Sequence, residues 1–416
     1  MIHRSAMPLA LALACAALLP AMPVFGEESG FLDGARTDLL LRNYVFNRDF
    51  RSHDAGKSVI NEWAQGFILK FTSGYTPGVV GVGLDAIGLL GVRLDSSPEH
   101  SGSELLPVHD DGHAARDYGR AGAALKLRLS ASELKVGEML PDVPVLRYDD
   151  GRLLPQTFQG AALTSREING LGLYAGHYRE VSLRHSANMQ KLSSWSAPGA
   201  ESDGFSYAGA EYRFNADRTL AGAWHAQLED IYRQSYLNLV HKQVLGGWTL
   251  GANLGLFMDR DEGRALAGEI DSHTGFALLS AGRAGHTLWV GVQKVGGTGG
   301  WQSVYGASGR TIGNDMYNGN FTNADERSWQ LRHDYDFAAL GVPGLGSMIR
   351  YGRGSNATTR FGSGGKEWER DLELNYTVQG GPLKYLNLRV NHASNRRSFG
   401  PDFDQTRLII NYPISL

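Results

Sequence analysis

The last stretch of the chain alternates between apolar and mixed positions. One register, counted back from the end in steps of two, is apolar or amphipathic throughout: Leu416, Ile414, Tyr412, Ile410 and Leu408. The other register is mixed and includes Asn411 and Arg407. Successive side chains of a β-strand point to opposite faces. The pattern therefore predicts a strand with one apolar face and one face that carries a charge.

A second alternating stretch predicts the first strand, over residues 37–50. Its odd positions between Leu39 and Val45 carry no charge, whereas its even positions include Arg42 and Arg48. Alternation over this length is typical of a strand with two different faces. We expect the odd positions to face an apolar medium and the two arginines to face the other side.

Similar alternation recurs along the chain and indicates the fold class. It covers residues 125–129, 181–186, 248–256, 288–292, 371–378 and 385–391. Short turns that contain glycine, such as residues 245–247 and 283–286, separate the segments. Many alternating segments of about 10 residues are typical of transmembrane β-barrels. Lipid tolerates a sheet only when the sheet closes on itself, so we expect an all-β, antiparallel transmembrane barrel.

The chain length sets the expected size of this barrel. About 390 residues follow the leader described below, and roughly 20 to 24 residues per strand and connection give about 16 to 18 strands. Barrels of this size enclose an aqueous channel. No stretch after the leader reaches the roughly 18 consecutive apolar residues of a membrane helix. The mean hydropathy of -0.26 fits a barrel, because its lumen and loops are polar.

Residues 1–26 are predicted to be a signal peptide, which leaves residues 27–416 as the barrel domain. Residues 9–19 are apolar, and Val24 and Gly26 occupy the -3 and -1 positions of a small-residue cleavage site. The single cysteine, Cys15, lies inside this leader, and a lipoprotein box at residues 13–15 is the alternative. Export and a barrel pattern together predict the outer membrane of a Gram-negative bacterium as the location.

The charge balance argues against several kinds of partner. The chain has 40 Lys and Arg against 43 Asp and Glu, and it has no basic run that would suit nucleic acid. Neither a Walker-type motif nor the spacing of a zinc site is present. We expect no nucleic acid, metal or cofactor. The expected partners are small solutes inside the barrel and outer-membrane lipid or lipopolysaccharide outside it.

Two stretches break the rhythm of the strands. Residues 140–160 contain Pro141, Pro144 and Pro155, which is too much proline for a ladder strand. Residues 294–323 are rich in glycine, asparagine and aromatic residues. Long connections of this kind are uncommon in compact folds and are usually functional. In a wide barrel we expect both stretches to fold inward and narrow the pore.

Seven short motifs occur in order along the chain. They are Ser29-Gly30-Phe31-Leu32, Leu41-Arg42-Asn43-Tyr44, Asn47-Arg48-Asp49-Phe50, Pro144-Val145-Leu146, Arg152-Leu153-Leu154-Pro155-Gln156-Thr157, Glu167-Ile168-Asn169-Gly170-Leu171 and Asn323-Ala324-Asp325-Glu326-Arg327-Ser328-Trp329. Together they resemble the OprD-type substrate-specific porins of pseudomonads. The resemblance implies an 18-stranded barrel, monomeric or loosely trimeric, that takes up small carboxylate-bearing nutrients. It also implies a row of lumenal basic residues, the basic ladder, and a constriction formed by the third and seventh loops.

The resemblance assigns the ladder and the constriction to seven arginines. The ladder positions are Arg42 and Arg48 on the first strand, Arg184 on the strand after the third loop, and Arg389 and Arg407 on the last two strands. The constriction positions are Arg152 in the third loop and Arg310 in the seventh. Arg350 and Lys126 are further candidates for the ladder, but only because the alternation of the sequence puts them on the lumenal face. An arginine suits this task because its planar guanidinium pairs with both oxygens of a carboxylate and stays charged. The alternative is that lumenal arginines pair with lumenal Asp and Glu and stiffen the wall.

The resemblance also bears on the solute. One branch of the family prefers basic amino acids and tends to carry an acid in the seventh loop after a Ser-Gly pair. The matching stretch here, Gly296-Gly297-Thr298-Gly299, has no acid. This favours the other branch, which takes aromatic or cyclic carboxylates and amino-acid-like solutes. A basic amino acid or dipeptide channel is the alternative, since Asp149, Asp150 or Asp315 could supply the negative charge.

Three other classes fit the sequence less well. Asp271-Ser272-His273 suggests an outer-membrane hydrolase, but neighbouring residues of a strand point to opposite faces and cannot form a nucleophile–base pair. We therefore expect no enzyme. An energy-coupled transporter would need an N-terminal plug, yet the first strand begins about ten residues after the cleavage site. A secreted β-sandwich is the alternative that needs no membrane.

Overall fold

The computed structural model describes residues 30–52 and 56–416. There the chain forms a barrel of antiparallel strands, each paired with its neighbour in sequence. The barrel strands are β1 (Arg36–Phe50), β2 (Val59–Thr72), β3 (Val80–Asp95), β4 (Asp117–Leu129), β5 (Ser132–Met139), β6 (Thr157–Ile168), β7 (Leu171–Ser182), β8 (Phe205–Phe214), β9 (Thr219–Leu228), β10 (Tyr232–Leu245), β11 (Trp248–Asp261), β12 (Asp271–Arg283), β13 (His286–Thr298), β14 (Arg327–Asp336), β15 (Leu345–Thr359), β16 (Gly362–Thr377), β17 (Asn387–Arg397) and β18 (Phe403–Ser415). The predicted signal peptide lies outside the described residues.

The first and last strands close the barrel. Their register runs from Asp38 opposite Ser415 to Phe50 opposite Phe403. Each of the eighteen strands in the described ranges therefore has a hydrogen-bonded neighbour on both sides, as a sheet in lipid requires. The closed antiparallel barrel confirms the predicted fold class, and its size lies at the upper end of the range expected from chain length.

The alternation in the sequence corresponds to the two faces of the barrel wall. In β1, Arg42 and Tyr44 are buried inside the barrel. In β18, Leu408 is 38% exposed, whereas the adjacent Arg407 is only 6% exposed. The outward side chains form an apolar band around the barrel that includes Leu237, Leu254, Val290, Leu331, Leu374 and Val390. Such a band is what a barrel presents to lipid.

The two ends of the barrel differ in the length of their connections. Two-residue turns join strands at one end, at residues 130–131, 169–170, 246–247 and 284–285. Gly246 and Gly247 have φ of 57° and 79°, as a type I′ hairpin turn requires. The four longest connections lie at the other end, which faces the cell exterior in outer-membrane barrels. No helix among the described residues is long and apolar enough to cross a membrane.

We number the connections at the extracellular end as loops 1–9 in chain order. Four of them matter for the site: loop 2 (residues 96–116), loop 3 (140–156), loop 4 (183–204) and loop 7 (299–326). Loop 3 contains a small hairpin, Asp142–Val143 with Leu146–Arg147, and loop 4 contains a two-residue strand, Gln190–Lys191, that extends the pairing of β7. The long connections expected from the sequence are thus present.

The structure corrects two boundaries that the sequence predicted. Arg184 was expected on a strand, but β7 ends at Ser182 and Arg184 lies in loop 4. Residues 294–298 were assigned to the seventh loop, but they are the end of β13, where Thr298 still pairs with Asp271 of β12. Their glycine-rich composition resembles a loop, yet the neighbouring strand keeps them in the sheet.

A β-bulge in β7 explains a third difference. Glu180 pairs with Gln159, and the next paired residue, Tyr178, is opposite Gly160, which leaves Arg179 as an extra residue. A bulge changes the face on which the following side chains lie. Val181 is therefore buried in the interior, and the alternation of residues 181–186 does not continue the outward register of the strand.

Apolar residues of the loops fill part of the barrel interior. One buried cluster joins Leu153 and Leu154 of loop 3 to the wall residue Phe46. A second cluster contains Leu146 of loop 3 and Ile312 of loop 7. Burying a leucine or isoleucine side chain stabilises a fold by about 1.5–3 kcal/mol, so these contacts hold both loops inside the barrel. The inward position expected for the two loops is confirmed.

Candidate functional site: the constriction of the barrel lumen

Loops 3 and 7 contact each other inside the lumen. Arg147 donates from Nε to Thr311 Oγ1 (2.8 Å), and Thr311 Oγ1 donates to the carbonyl oxygen of Pro144 (2.9 Å). The backbone N–H of Ser308 donates to the carbonyl oxygen of Arg147 (2.9 Å). The two loops therefore form one partition across the barrel.

A cavity of about 1800 Å³ lies beside this partition. Its wall includes the seven arginines singled out from the sequence, which are Arg42, Arg48, Arg152, Arg184, Arg310, Arg389 and Arg407. Arg350 also lines the cavity, as do Arg332 and Arg397, which the sequence did not single out. Lys126 does not belong to this wall. It contacts Asp85 (2.7 Å) near the short-turn end of the barrel.

Arg42 holds loop 3 against the wall. Its guanidinium pairs with both oxygens of Asp150 (2.7 and 3.1 Å) and donates to the carbonyl oxygen of Arg152 (2.8 Å). Its Nε donates to Asn411 Oδ1 (3.1 Å) on β18. Every nitrogen of this guanidinium therefore has an acceptor within the protein. Arg42 thus matches the alternative in which a lumenal arginine pairs with an acid and stiffens the barrel wall.

Arg184 and Arg350 are also paired. Arg184 lies 2.8 Å from Asp149 of loop 3 and contacts Glu104 of loop 2, and Arg350 lies 2.6 Å from Asp371. Burial favours the neutral form of Glu104 and of Arg184, but their pairing outweighs it. The pKa of Glu104 is consequently lowered and the pKa of Arg184 is raised. Arg184 thus joins loops 2, 3 and 4.

Arg48 and Arg407 face the cavity without an acidic partner. No carboxylate oxygen of the described residues lies within 4.0 Å of either guanidinium. Both donate to Asn318 Oδ1 on loop 7 (3.2 and 3.3 Å), and Arg48 also donates to Gln405 Oε1 (2.9 Å). Neutral acceptors leave the positive charges uncompensated, so both guanidiniums can pair with an anion in the lumen.

Arg152 also has no ion-pair partner within the described part of the chain, and the same holds for Arg397 in the cavity wall. Its Nε donates to the carbonyl oxygen of Ser103 (2.9 Å), and its guanidinium lies 5.2 Å from the centre of the Phe46 ring. Burial, together with the charges of Arg184 and Arg407, lowers the pKa of Arg152 to about 9. The side chain still carries its charge at neutral pH.

Arg310 and Arg389 are the more exposed members of the set. Their side chains are 54% and 41% exposed, and their closest acids are Asp142 (3.6 Å) and Glu373 (3.9 Å). Exposed pairs of this kind contribute only about 0–1 kcal/mol. Both arginines can therefore exchange their partner for a solute with little loss.

The barrel wall holds the tip of loop 7 partly through backbone atoms of the loop. Three contacts do this: Arg407 donates to the carbonyl oxygen of Tyr317 (3.2 Å), Arg350 donates to the carbonyl oxygen of Asp315 (2.6 Å), and the N–H of Asn318 donates to Glu369 Oε1 (3.0 Å). The tip is thereby fixed in position beside the cavity.

Asp315 brings an acid to the constriction. Burial raises the pKa of Asp315 to about 7, and the charge of Asp149 acts in the same direction, whereas Arg350 opposes both. The carboxyl is therefore partly protonated near neutral pH. The sequence indicated Asp315 as a source of negative charge, but it did not indicate Glu104. The partner of Glu104 is 80 residues away, and no local pattern indicates that contact.

The hydrolase motif does not form a catalytic pair. Ser272 is buried and donates to the carbonyl oxygen of Gly300 (2.7 Å). His273 is exposed on the opposite face of β12. The two side chains thus point apart, as their adjacent positions in a strand predict.

Comparison with known sequences decides the family. A family model described as outer membrane porin, OprD family, matches residues 29–416. The chain belongs to the OprD family. It is therefore a substrate-specific porin of the Gram-negative outer membrane, and the members to which it is similar are channels rather than enzymes.

Several members of this family are similar over nearly the whole chain. Porin-like protein GalP of Pseudomonas putida is 50% identical over 402 residues, which cover 96% of this chain and 97% of GalP. The crystal structure of Pseudomonas aeruginosa OpdK with vanillate is 70% identical, has a TM-score of 0.90, and covers 93% of this chain and 100% of OpdK. Pseudomonas aeruginosa OccK2 in complex with glucuronate is 48% identical, with a TM-score of 0.86 and coverage of 93% and 100%.

Proposed function

We propose that this OprD-family porin takes up small carboxylate-bearing solutes passively, with a preference for aromatic or cyclic carboxylates. The observation that carries the proposal is that three of the arginines singled out from the sequence, Arg48, Arg152 and Arg407, have no ion-pair partner in the described ranges. All three line one cavity beside the partition of loops 3 and 7. Uncompensated guanidiniums in a narrow passage are suited to an anion that is bound briefly and released.

The proposed mechanism combines steering with stepwise exchange. A narrow lumen with low-dielectric walls focuses the electric field and raises the local concentration of anions. A channel must also bind its solute weakly enough to release it. Successive arginines satisfy both demands, because each step exchanges one charged hydrogen bond for another. In this scheme Arg42 and Arg184 position the loops, while the unpaired arginines, Arg310 and Arg389 contact the solute.

Two similar channels support this choice of solute. The OpdK structure contains vanillate, an aromatic carboxylate, and the OccK2 structure contains glucuronate, a cyclic sugar carboxylate. The higher identity to OpdK favours aromatic carboxylates for the present chain. Two further predictions accompany the proposal: a mature chain that begins at residue 27 and an assembly that is monomeric or loosely trimeric.

A channel for basic amino acids is the second candidate, because Asp149, Asp150 and Asp315 line the cavity. The first two acids are already paired with Arg184 and Arg42. The third is partly protonated near neutral pH, since its pKa is raised to about 7. These three acids therefore leave little negative charge for a cationic solute, and this favours the carboxylate channel.

Liposome swelling with matched solutes tests the proposal. The panel contains vanillate, benzoate, glucuronate, arginine and an uncharged sugar of similar size. Arg407→Gln should lower carboxylate flux by roughly tenfold, because a charged hydrogen bond contributes about 1.5–3 kcal/mol, while sugar flux changes little. Arg283→Gln removes the same charge from the outer surface and serves as the control. Faster flux of arginine than of benzoate would instead support the basic amino acid channel.

The loop arginines give a second test of the same proposal. Arg152→Ala and Arg310→Ala should each lower carboxylate flux more than flux of the uncharged sugar, because each removes a positive charge from the cavity wall. Liposome swelling with benzoate and with the uncharged sugar provides the measurement. Equal effects on both solutes would show that the side chains only shape the pore.

A further inference from the structure

The outer face of strands β13–β16 carries a cluster of cations at its extracellular end. Its members are Lys294 on β13, Arg327 on β14, Arg353 on β15, and Lys366 and Arg370 on β16, and all five are exposed. They lie in the same registers as the outward apolar residues of these strands, such as Leu331 and Ile349. We call these five residues the outer cation patch.

The five cations are close neighbours on the sheet. Lys294 lies directly opposite Arg327. Arg353 is opposite Trp329 on one side and Trp368 on the other, so it is diagonal to Arg327 and to both cations of β16. Direct and diagonal neighbours on one face lie within about 4.5–8 Å, and like charges that are directly opposite, such as Lys294 and Arg327, destabilise a sheet. The arrangement is unfavourable unless an anion lies over it.

The protein itself supplies no such anion in the described ranges. No carboxylate there lies within 4.0 Å of the five charged groups. The neighbouring acid Asp325 accepts a hydrogen bond from Thr358 Oγ1 (3.1 Å) instead. Arg396, another outward arginine at this end, is paired with Asp404 (2.9 Å). The patch is a cluster of cations on adjacent strands that lacks such a pair within the described residues.

Aromatic rings place the patch relative to the membrane. Trp329 and Tyr351 have ring centres 5.5 Å apart, and those of Tyr351 and Trp368 are 5.9 Å apart. These rings are interleaved with the cations on the outer face. Aromatic girdles mark the two interfaces of a membrane barrel, so the cations lie at headgroup level in the outer leaflet.

We propose that the outer cation patch binds the phosphate groups of lipopolysaccharide through its lipid A part. Guanidinium groups pair in a two-pronged way with phosphate oxygens. A cluster of four to eight Lys and Arg at a membrane surface is the pattern that recognises anionic lipid headgroups. A phosphorylated headgroup would also relieve the repulsion between Lys294 and Arg327. This site lies on the outside of the barrel and does not depend on the solute that passes through it.

Lipid binding to the mature full-length barrel in detergent tests the proposal, with native mass spectrometry as the readout. The probes are bisphosphorylated lipid A and the same lipid without its phosphates. The natural protein should bind the phosphorylated form at least tenfold more tightly. Arg327→Gln with Arg353→Gln should weaken that binding by about 25-fold, since each cation contributes about fivefold. Arg283→Gln with Lys384→Gln removes the same charge at the opposite end and should not change binding.

Heat-modifiable migration and unchanged KCl conductance would show that the double variant is folded. Equal affinity of the natural protein for both lipid forms would overturn the proposal, as would unchanged lipid binding by the double variant. Full competition by inorganic phosphate at lipid concentration would also overturn it, because it would indicate a site for a free anion. Loss of oligomers with lipid binding intact would instead assign the patch to contacts between copies of the chain.

Discussion

The lumenal arginines differ in what their guanidinium groups contact, although the sequence pattern places them alike. Alternation put Arg42 and Arg407 on the interior face, and both are buried there. Only the fold brings Asp150, which is 108 residues away, into contact with Arg42, whereas Arg407 meets neutral acceptors. A period-two pattern predicts the face of a residue, but it contains no information on contacts between distant segments.

This difference predicts unequal effects on stability. Arg42→Gln should destabilise the folded barrel by about 2–3 kcal/mol, because it leaves Asp150 without its partner and removes charged hydrogen bonds to loop 3. Arg407→Gln should cost less, since it removes hydrogen bonds to loop 7 but leaves no buried carboxylate without its partner. Reversible urea unfolding in lipid vesicles measures both. Similar losses in the two variants would mean that Arg42 does not anchor loop 3.

The raised pKa of Asp315 predicts a change of selectivity with pH. The group is mostly charged above its pKa of about 7 and mostly neutral below it, so acidification removes a negative charge from the constriction. Lowering the pH from about 8 to about 6 should therefore raise the permeability to benzoate, whose own charge is constant in this range because carboxyl groups titrate near 4. Reversal potentials in planar bilayers measure the effect.

Asp315→Asn is the matched control for this titration. The variant should behave at both pH values as the natural protein does at the lower one, because its side chain is neutral throughout. If the variant keeps the full pH response, another group is responsible.

At the scale of strands, regular alternation was sufficient to predict the two faces of β1 and β18. It was not sufficient to predict the register of β7 or the end of β13. The faces of β1 and β18 follow from residues 39–48 and 407–416, where no irregularity interrupts the ladder. In β7, the extra residue Arg179 reverses the register, and nothing in its side chain indicates a bulge. In β13, the terminal glycines stay in the sheet because β12 extends beside them.

The outward register of β18 can be tested directly. Leu408→Arg should impair assembly, because an arginine facing lipid costs about 2–4 kcal/mol at the midplane of a bilayer. Thr406→Arg, on the same face but nearer the extracellular end, should cost less. The heat-modifiable fraction after refolding into vesicles measures assembly. Normal folding of Leu408→Arg would mean that the two faces are reversed.

At the scale of the whole molecule, the sequence predicted a barrel with two inward loops but not how these loops are connected to each other. Proline content and broken alternation indicated loops 3 and 7. The contact between Arg147 and Thr311 and the bridge from loop 2 through Glu104 to Arg184 arise only when the barrel closes. The partition of the lumen is thus a property of the complete fold.

The contact between the two loops predicts how rigid this partition is. Thr311→Val keeps the volume of the side chain but removes both hydrogen bonds of its hydroxyl group, a loss of about 1–3 kcal/mol. Single-channel recordings should then show a noisier current with more excursions to higher conductance. Thr406→Val, on the outer face, is the control and should leave the current unchanged. A quiet current in the loop variant would show that buried apolar contacts alone fix the loops.

The way in which the wall holds loop 7 has a consequence for how such channels diversify. Arg407 and Arg350 donate to carbonyl oxygens, which every amino acid provides, and Glu369 accepts from an N–H, which every amino acid except proline provides. Side chains at positions 315–318 can therefore be replaced while these main-chain contacts persist. New nutrient preferences can arise by single substitutions at this tip, in natural lineages or in a laboratory library, without redesign of the surrounding scaffold.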